Sequence, residues 1–181
     1  MLSPSPTLIF VWEIAASEAA ALRSGHIEPE HFFIGLCRLD DFGFANRLTD
    51  IGYEAAIAEA MQPEIRGLLS KLYRFGINPS VLRREIRAGK GTGMLGRLSA
   101  WSTGPLGGRQ SNPPDGIMHR SAASHQVFNR AADLATTARA TTVTTYHLLA
   151  ALLEYSSGHL PGILRRHEVN VTGLREAALA A

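Results

Sequence analysis

The chain has 181 residues, of which 45% are hydrophobic and 19% charged, and its formal net charge is +2. This composition is typical of a soluble globular protein with one or two small cores, and it excludes a disordered tail. The cationic residues are interleaved with acids rather than concentrated, so we expect no nucleic-acid partner.

No targeting or membrane segment is predicted at the start of the chain. The apolar run at residues 8–12 stops at Glu13 and has no basic segment before it, so it is too short to span a membrane and makes a poor signal peptide. We therefore expect a cytoplasmic protein with no membrane partner. The single cysteine, Cys37, excludes an internal disulfide and lies in an apolar run, which predicts a buried thiol.

The first part of the chain predicts four helices. The first begins near Thr7, whose hydroxyl suits an N-cap, and the second begins at Pro29, where a missing N–H costs nothing. The third covers the segment from Leu68, and the fourth starts after Asn78-Pro79. Alanine and leucine recur at helical spacing throughout, so no sheet is expected.

A glycine-rich segment, "GKGTGMLGRLSAWSTGPLGGRQSNPPDG", follows the fourth helix. It contains two adjacent prolines and no sustained helical period, which predicts a flexible connector over residues 89–117. Beyond it, four more helices are predicted to start near Ser121, Thr145, Leu160 and Asn170.

The two helical parts repeat the same order of motifs. "IEPEHFFIGLCRL" at residues 27–39 returns as "VTTYHLLAALLEY" at residues 143–155, with His31 over His147. "LLSKLYRFGINPSVLRREI" from Leu68 then returns as "LPGILRRHEVNVTGLREAA" from Leu160. Two matches in the same order indicate a duplicated module. We therefore predict an all-α fold of two four-helix repeats, residues 1–88 and 118–181, related by a pseudo-twofold axis.

The first repeat is longer than the second. Leu36 and Leu68 are 32 positions apart, whereas their counterparts Leu152 and Leu160 are 8 apart. The extra residues define an insertion at about 40–66, in which a run of alanines predicts an added helix that ends near Pro63.

Catalytic and metal-binding motifs are absent from the sequence. The nearest approach to a phosphate loop, "AGKGTGM", lacks the first glycine and the Ser/Thr after Lys90, and no nucleophile elbow or H-E-x-x-H occurs. His159 and His167 do not have a zinc-ligand spacing, and Cys37 has no cysteine partner. We predict no enzyme activity, no cofactor and no metal.

The "EH" pair, Glu30-His31, has a structural explanation and a functional one. A carboxylate in the first turn of a helix gains about 0.3–1 kcal/mol from the helix dipole without binding anything. His31 and His147 recur at one position, which predicts a packing or hydrogen-bonding role at the helix start. The pairs Phe32-Phe33 and Leu148-Leu149 are predicted to lie in the core.

The repeated pattern resembles a known family. An alanine-rich helix, "GH" followed by "xEHxxxxL", and then "xxxLxxxGI/VN/DxxxLR", the whole repeated with Tyr146 in place of the glutamate, is similar to the N-terminal domain of the Clp AAA+ unfoldases, without their ATPase modules. The resemblance covers roughly residues 6–88 and 120–180. It implies a module that recruits protein substrates or adaptors for ATP-dependent unfolding or proteolysis, with a Clp motor or protease subunits as further partners.

The resemblance also implies a site for phosphorylated arginine. Some members hold the phosphate at the start of the first helix of a repeat and the guanidinium with the glutamate of the "EH" pair, an arrangement that suits both charges. In the first repeat Thr7, Leu8 and Glu30 match this pattern. In the second repeat Ser121 and Ala122 stand at the helix start, but Tyr146 replaces the glutamate, so phosphoarginine is expected at the first repeat.

Two classes of function remain open from the sequence. One is the recruitment module described above. The other is a stand-alone regulatory protein that binds a small ligand or effector without contacting an unfoldase.

Overall fold

A computed structural model describes residues 2–39, 52–91 and 118–180 of the chain, and the prediction of an all-α fold is confirmed there. Two strands of two residues each accompany eight helices in these ranges. The strands are β1 (Ser3–Pro4) and β2 (Thr142–Val143), and the helices are α1 (Pro6–Ala21), α2 (Pro29–Arg38), α3 (Ala55–Arg74), α4 (Pro79–Gly91), α5 (Ala122–Thr137), α6 (Thr145–Glu154), α7 (Leu160–Arg166) and α8 (Val171–Leu179).

Most helix starts lie where the sequence predicts them. α2 begins at Pro29, α6 at Thr145 and α8 after Asn170, whose side chain accepts from the Gly173 N–H at 2.9 Å. Ser121 caps α5 by accepting from the Ser124 N–H at 3.1 Å.

The prediction of Thr7 as the N-cap of α1 is wrong. The cap is Ser5, whose hydroxyl oxygen accepts from the Leu8 N–H at 3.1 Å. Pro6 occupies the first helical position because its fixed φ suits a helix and its lack of an N–H costs no hydrogen bond there. Thr7 therefore lies inside the first turn.

The prediction that a helix ends near Pro63 is also wrong, because α3 runs through Pro63 without a break. Its buried side chains, Ala58, Met61, Ile65, Leu68 and Leu72, continue at helical spacing on both sides of the proline. Proline removes a bond to the carbonyl four residues earlier, that of Glu59, and both residues are exposed to water. The inserted helix and the predicted third helix are thus one element.

Equivalent backbone hydrogen bonds connect the two predicted repeats. The Ser5 N–H donates to the Val143 carbonyl at 2.8 Å, and the Ser121 N–H donates to the Ile27 carbonyl at 3.1 Å. The two bonds are counterparts in the register that pairs His31 with His147. Each repeat therefore fastens the start of its first helix to the segment before the second helix of the other repeat. β1 pairs in parallel with β2 within this contact.

The core is built from the helix faces that the sequence predicts. Phe32, Phe33, Leu148 and Leu149 are completely buried, as expected. Cys37 is buried as well, which confirms the expected buried thiol. Trp12, Phe32 and Phe128 form an aromatic cluster that joins α1, α2 and α5, with ring centroids 4.8–6.1 Å apart.

Ion pairs hold the helices of each repeat together. In the first repeat Glu18 on α1, 2% exposed, accepts from Arg38 on α2 and from Arg87 on α4. In the second repeat Glu154 on α6 pairs with arginines on the other two elements, Arg130 on α5 and Arg175 on α8. The first, second and fourth helices are joined in each repeat. The carboxylate lies on the first helix, α1, in one repeat and on the second helix, α6, in the other.

The predicted connector, 89–117, lies mostly outside the described residues, and so do residues 40–51 of the insertion predicted at about 40–66. α4 extends to Gly91, so the first three connector positions are helical. Within the described ranges no helix has the length and hydrophobicity needed to cross a membrane.

Candidate functional site

The starts of α2 and α6 are closed by the repeated histidines. The Nδ1 atom of His31 accepts from the Glu28 N–H at 2.9 Å, and Nδ1 of His147 accepts from the Thr144 N–H at 3.1 Å. Both rings must therefore be unprotonated at Nδ1. The predicted hydrogen-bonding role of these histidines is confirmed, and burial lowers the pKa of His147 below its usual value, against the opposing charge of Glu64.

Glu30, in the first turn of α2, faces the other repeat. Its side chain is 5% exposed, and Oε1 accepts from the His159 N–H at 3.1 Å, just before α7. Gly158 has a φ of +80° and lies directly against this carboxylate, so that a Cβ at position 158 would collide with Oε1. The absence of a side chain at Gly158 is therefore what lets Glu30 reach the loop.

Tyr146, at the position in α6 that corresponds to Glu30 in α2, contacts the first repeat from the second. Its hydroxyl donates to the Glu64 carbonyl of α3 at 3.2 Å, and a Cβ at Gly67 would collide with the Tyr146 oxygen. Burial, followed by the charge of Glu64, raises the pKa of Tyr146. Each repeat thus extends the second residue of its second helix toward the third helix of the other repeat, against a glycine.

Glu64 is a residue that the sequence prediction missed. Its Oε1 accepts from the Thr145 N–H at 2.6 Å, from the Thr145 hydroxyl at 2.7 Å and from the Ser5 hydroxyl at 3.2 Å. One carboxylate oxygen therefore joins the starts of α1 and α6.

The remaining predicted residues lie at the starts of α1 and α5. Thr7 is 1% exposed, and its hydroxyl has no hydrogen-bond partner among the described residues. Leu8 is buried, and its N–H is used by the Ser5 cap. Ser121 is the counterpart of Ser5 and Ala122 is the first residue of α5, so this pair lies two positions before Ala123 and Ser124, the counterparts of Thr7 and Leu8.

The structure joins these residues across the repeats. The α1 start contacts the α6 start through Ser5, Glu64 and Thr145. The α5 start contacts the segment before α2, because Ser121 and Ser124 both donate to the Ile27 carbonyl. Glu30 accepts from the second repeat at the His159 N–H. In the described ranges no group of three or more His, Cys, Asp or Glu side chains could hold a metal ion.

A shallow cleft of about 250 Å³ opens on the second repeat. It is formed by α6, α7 and α8 and the turns between them, and its wall is largely apolar. The lining residues are Leu152, Leu153, Tyr155, Leu160, Pro161, Leu164, Arg165, Val169 and Val171.

Apolar side chains are also exposed on α1. Ile9 is 45% exposed and Trp12 36%, and their spacing of three residues puts them on one face of the helix. The Arg120 guanidinium lies over the rings of Trp12 and Phe128, 4.3 and 4.8 Å from the ring centroids. These contacts fix Arg120 beside the exposed face by cation–π attraction.

Comparison with known proteins identifies the repeat. Residues 120–181 match the family described as the Clp repeat (R) N-terminal domain. Comparison with curated protein sequences finds no significant match.

Two solved structures have the same fold over nearly the whole chain. The N-terminal domain of the caseinolytic protease associated chaperone ClpD from Arabidopsis thaliana has 18% identity and a TM-score of 0.57, over 96% of this chain and 90% of that one. The Hsp104 N-terminal domain from Candida albicans has 15% identity and a TM-score of 0.61, over 98% and 89%. Residues 120–181 thus match the Clp repeat N-terminal domain family, and the chain as a whole has the fold of the N-terminal domains of ClpD and Hsp104.

Proposed function

We propose that this protein is a polypeptide-binding module that recruits protein substrates or adaptors to a Clp AAA+ motor for ATP-dependent unfolding or proteolysis. The observation that carries the proposal is the likeness in fold, over 96–98% of the chain, to N-terminal domains of the chaperones ClpD and Hsp104. The proposal gives the chain no catalytic role of its own. Purified protein should accordingly hydrolyse no ATP.

The cleft between α6, α7 and α8 is the proposed contact for the polypeptide. Its wall is largely apolar, and Arg165 at the cleft adds a positive charge that suits an acidic neighbour of the bound side chain. Burying an apolar side chain there gains about 25 cal/mol for each Å² removed from water.

A matched pair of valines tests this contact. Val171 lines the cleft and lies in the first turn of α8, whereas Val81 lies in the first turn of α4, is 36% exposed and is not among the cleft residues. An aspartate is favourable in the first turn of either helix, but Val171 also packs against the core, so binding is compared once thermal unfolding shows that both variants fold. We expect Val171→Asp to weaken binding of a reduced, carboxymethylated polypeptide, measured by fluorescence anisotropy, and Val81→Asp to leave it unchanged.

Affinity purification distinguishes recruitment from the alternative function. Tagged protein in its native cell should retain a Clp motor, a protease subunit or client proteins. Retention of a small effector with none of these would instead support a stand-alone regulator.

The proposal includes a phosphorylated arginine as one recognised group, held at the first repeat by Thr7, Leu8 and Glu30. Two features support it: Thr7 keeps a buried hydroxyl without a hydrogen-bond partner among the described residues, and Glu30 supplies a carboxylate. The ligand guanidinium would replace the His159 N–H as the donor to Glu30. Tyr146, a phenol, supplies no such charge in the second repeat.

Calorimetric titration with a phosphoarginine peptide tests this part. Glu30→Gln should weaken binding by about 1.5–3 kcal/mol, the range for a hydrogen bond to a charged group. Tyr146→Phe is the control, because it removes only the hydroxyl that donates to Glu64. Equal losses from the two variants, or no binding by the parent, would exclude phosphoarginine recognition by Glu30 and leave polypeptide recruitment to the valine test.

A further inference from the structure

The cleft between α6, α7 and α8 combines an apolar wall with a single cation. The described residues that line it are leucines, valines and a proline, apart from Tyr155 and Arg165, and none of them is a carboxylate. Pockets for drug-sized ligands have volumes of about 300–1,000 Å³. The cleft, at about 250 Å³, is therefore suited to one apolar side chain with a negative group beside it.

Arg165, exposed in the last turn of α7, forms no ion pair within the described residues. Arg166, the next residue, pairs with Glu85, and Glu154 at the end of α6 is held by two other arginines. Glu168 lies in the turn after α7 and is not part of the cleft lining. The guanidinium of Arg165 is therefore available to a carboxylate of a ligand.

The fold itself does not require a cation at this position. In the register of the second repeated motif, Arg165 corresponds to Tyr73 of the first repeat. A cation in the last turn of a helix is favourable, but Arg166 in α7 and its counterpart Arg74 in α3 already fill that role in both repeats. Arg165 is thus a feature of the second repeat and its cleft rather than of the duplicated module.

We propose that the cleft binds the C-terminal residue of a polypeptide, with the apolar side chain of that residue against the cleft wall and its free carboxylate on Arg165. This role rests on the proposed polypeptide contact and names the part of the polypeptide that is recognised. A guanidinium presents its N–H groups in a planar fork that matches the two oxygens of a carboxylate. Tyr155, which also lines the cleft, adds a hydroxyl donor.

The negative group beside the bound side chain is most directly supplied by the chain end. In a terminal residue the carboxylate and the side chain are attached to one Cα, so both can reach a cleft that holds one side chain. In an extended peptide, successive side chains point to opposite faces, so an aspartate at the next position would have to turn back toward the cleft. An apolar residue at the free end of a chain therefore meets both features of the cleft.

Titration with a pair of peptides tests the inference. A short glycine–serine peptide that ends in leucine is prepared with a free C-terminal carboxylate and as the amide, and binding to the full chain is followed in proton–nitrogen spectra at Val169 and Val171. The free acid should bind about two- to five-fold more tightly than the amide, the range for an exposed ion pair. Arg165→Gln should lose this preference but still bind the amide. Arg74→Gln is the matched control and should keep the preference, because it removes an exposed last-turn arginine that does not line the cleft.

A third peptide distinguishes the chain end from an acidic side chain. The amidated peptide with an aspartate after the leucine should bind no more tightly than the simple amide. Binding of this peptide as tight as that of the free acid, equal binding of acid and amide, or a preference that survives in Arg165→Gln would overturn the inference and leave polypeptide recruitment in place. No saturable shift at the cleft with any of the peptides would overturn the cleft as the polypeptide contact as well.

Discussion

At the scale of single residues, the contacts between the repeats depend on two glycines. Gly158 admits the Glu30 carboxylate and Gly67 admits the Tyr146 hydroxyl, and neither position has room for a Cβ. The sequence predicts Glu30 and the two histidines at helix starts because those roles are local. It does not predict that Glu64 caps α6, because that bond joins residues 81 positions apart and has no periodicity to reveal it.

Replacing Gly158 by alanine should separate the Glu30 contact from backbone strain. Gly158 and Gly76 have similar positive φ values, +80° and +77°, but a Cβ at Gly76 would meet nothing within 4 Å. Both Gly→Ala variants are strained by about 1–3 kcal/mol. Gly158→Ala should cost about 1.5–3 kcal/mol more, because it also displaces a hydrogen-bonded carboxylate.

Urea unfolding of the two variants measures this difference. Adding Glu30→Ala to Gly158→Ala should remove most of the excess cost, because nothing is left to clash with the new methyl group. If the excess persists without Glu30, the contact is not its cause.

The pH dependence of stability should reveal the buried imidazole of His147. Burial lowers its pKa below the ordinary value of 6.5, so below pH 6.5 the unfolded chain binds a proton that the folded chain resists. This contribution is complete above pH 6.5 and is lost as the pH falls toward the folded pKa. Asparagine can also accept from the Thr144 N–H but does not titrate, so His147→Asn should flatten the loss of stability below pH 6.5.

The exposed His125 provides the control for this measurement. His125→Asn should keep the parent slope when the free energy of unfolding is followed from pH 7.5 to 5. If the free energy of unfolding of His147→Asn falls with pH as steeply as that of the parent, His147 does not contribute to acid sensitivity.

At the scale of helices, the predicted elements are mostly right because apolar spacing and capping residues act locally. The break at Pro63 is the exception. The exposed carbonyl of Glu59 can bond to water, and the buried stripe from Ala58 to Leu72 favours one continuous helix against the core. Tertiary packing therefore overrides the local preference of proline, which sequence alone cannot weigh.

The ion pairs among helices should differ in importance between the repeats. Glu18 is 2% exposed and accepts from Arg38 and Arg87, whereas Glu154 is 24% exposed in the corresponding network. Glu18→Gln should lower the free energy of unfolding by about 1.5–3 kcal/mol, since it weakens charged hydrogen bonds withdrawn from water. Glu154→Gln should lower it clearly less because water screens that site. Equal losses in chemical denaturation would contradict the assigned burial of Glu18.

At the scale of the whole molecule, the two repeats are joined by exchanged contacts. Ser5 bonds to Val143 and Ser121 to Ile27, and on another face Glu85 of α4 pairs with Arg166 and His167 at the end of α7. Hydrogen bonds from His167 and Arg166 hold the pKa of Glu85 below its usual value. The ordered duplication predicts two related halves, but the sequence does not specify which helix start meets which, since both copies carry similar caps.

Because each repeat completes the helix starts of the other, the second repeat and its apolar cleft are held in place by the first. A polypeptide bound at the proposed cleft would contact helices whose starts are hydrogen-bonded to the first repeat.

Hydrogen–deuterium exchange with and without a reduced, carboxymethylated polypeptide tests polypeptide recruitment most directly. We expect slower exchange on binding at the segments that line the cleft, the end of α6, α7 and the start of α8, spanning residues 152–171. Val171→Asp should abolish this protection and Val81→Asp should preserve it. Saturating polypeptide that leaves exchange unchanged at residues 152–171 would contradict the account.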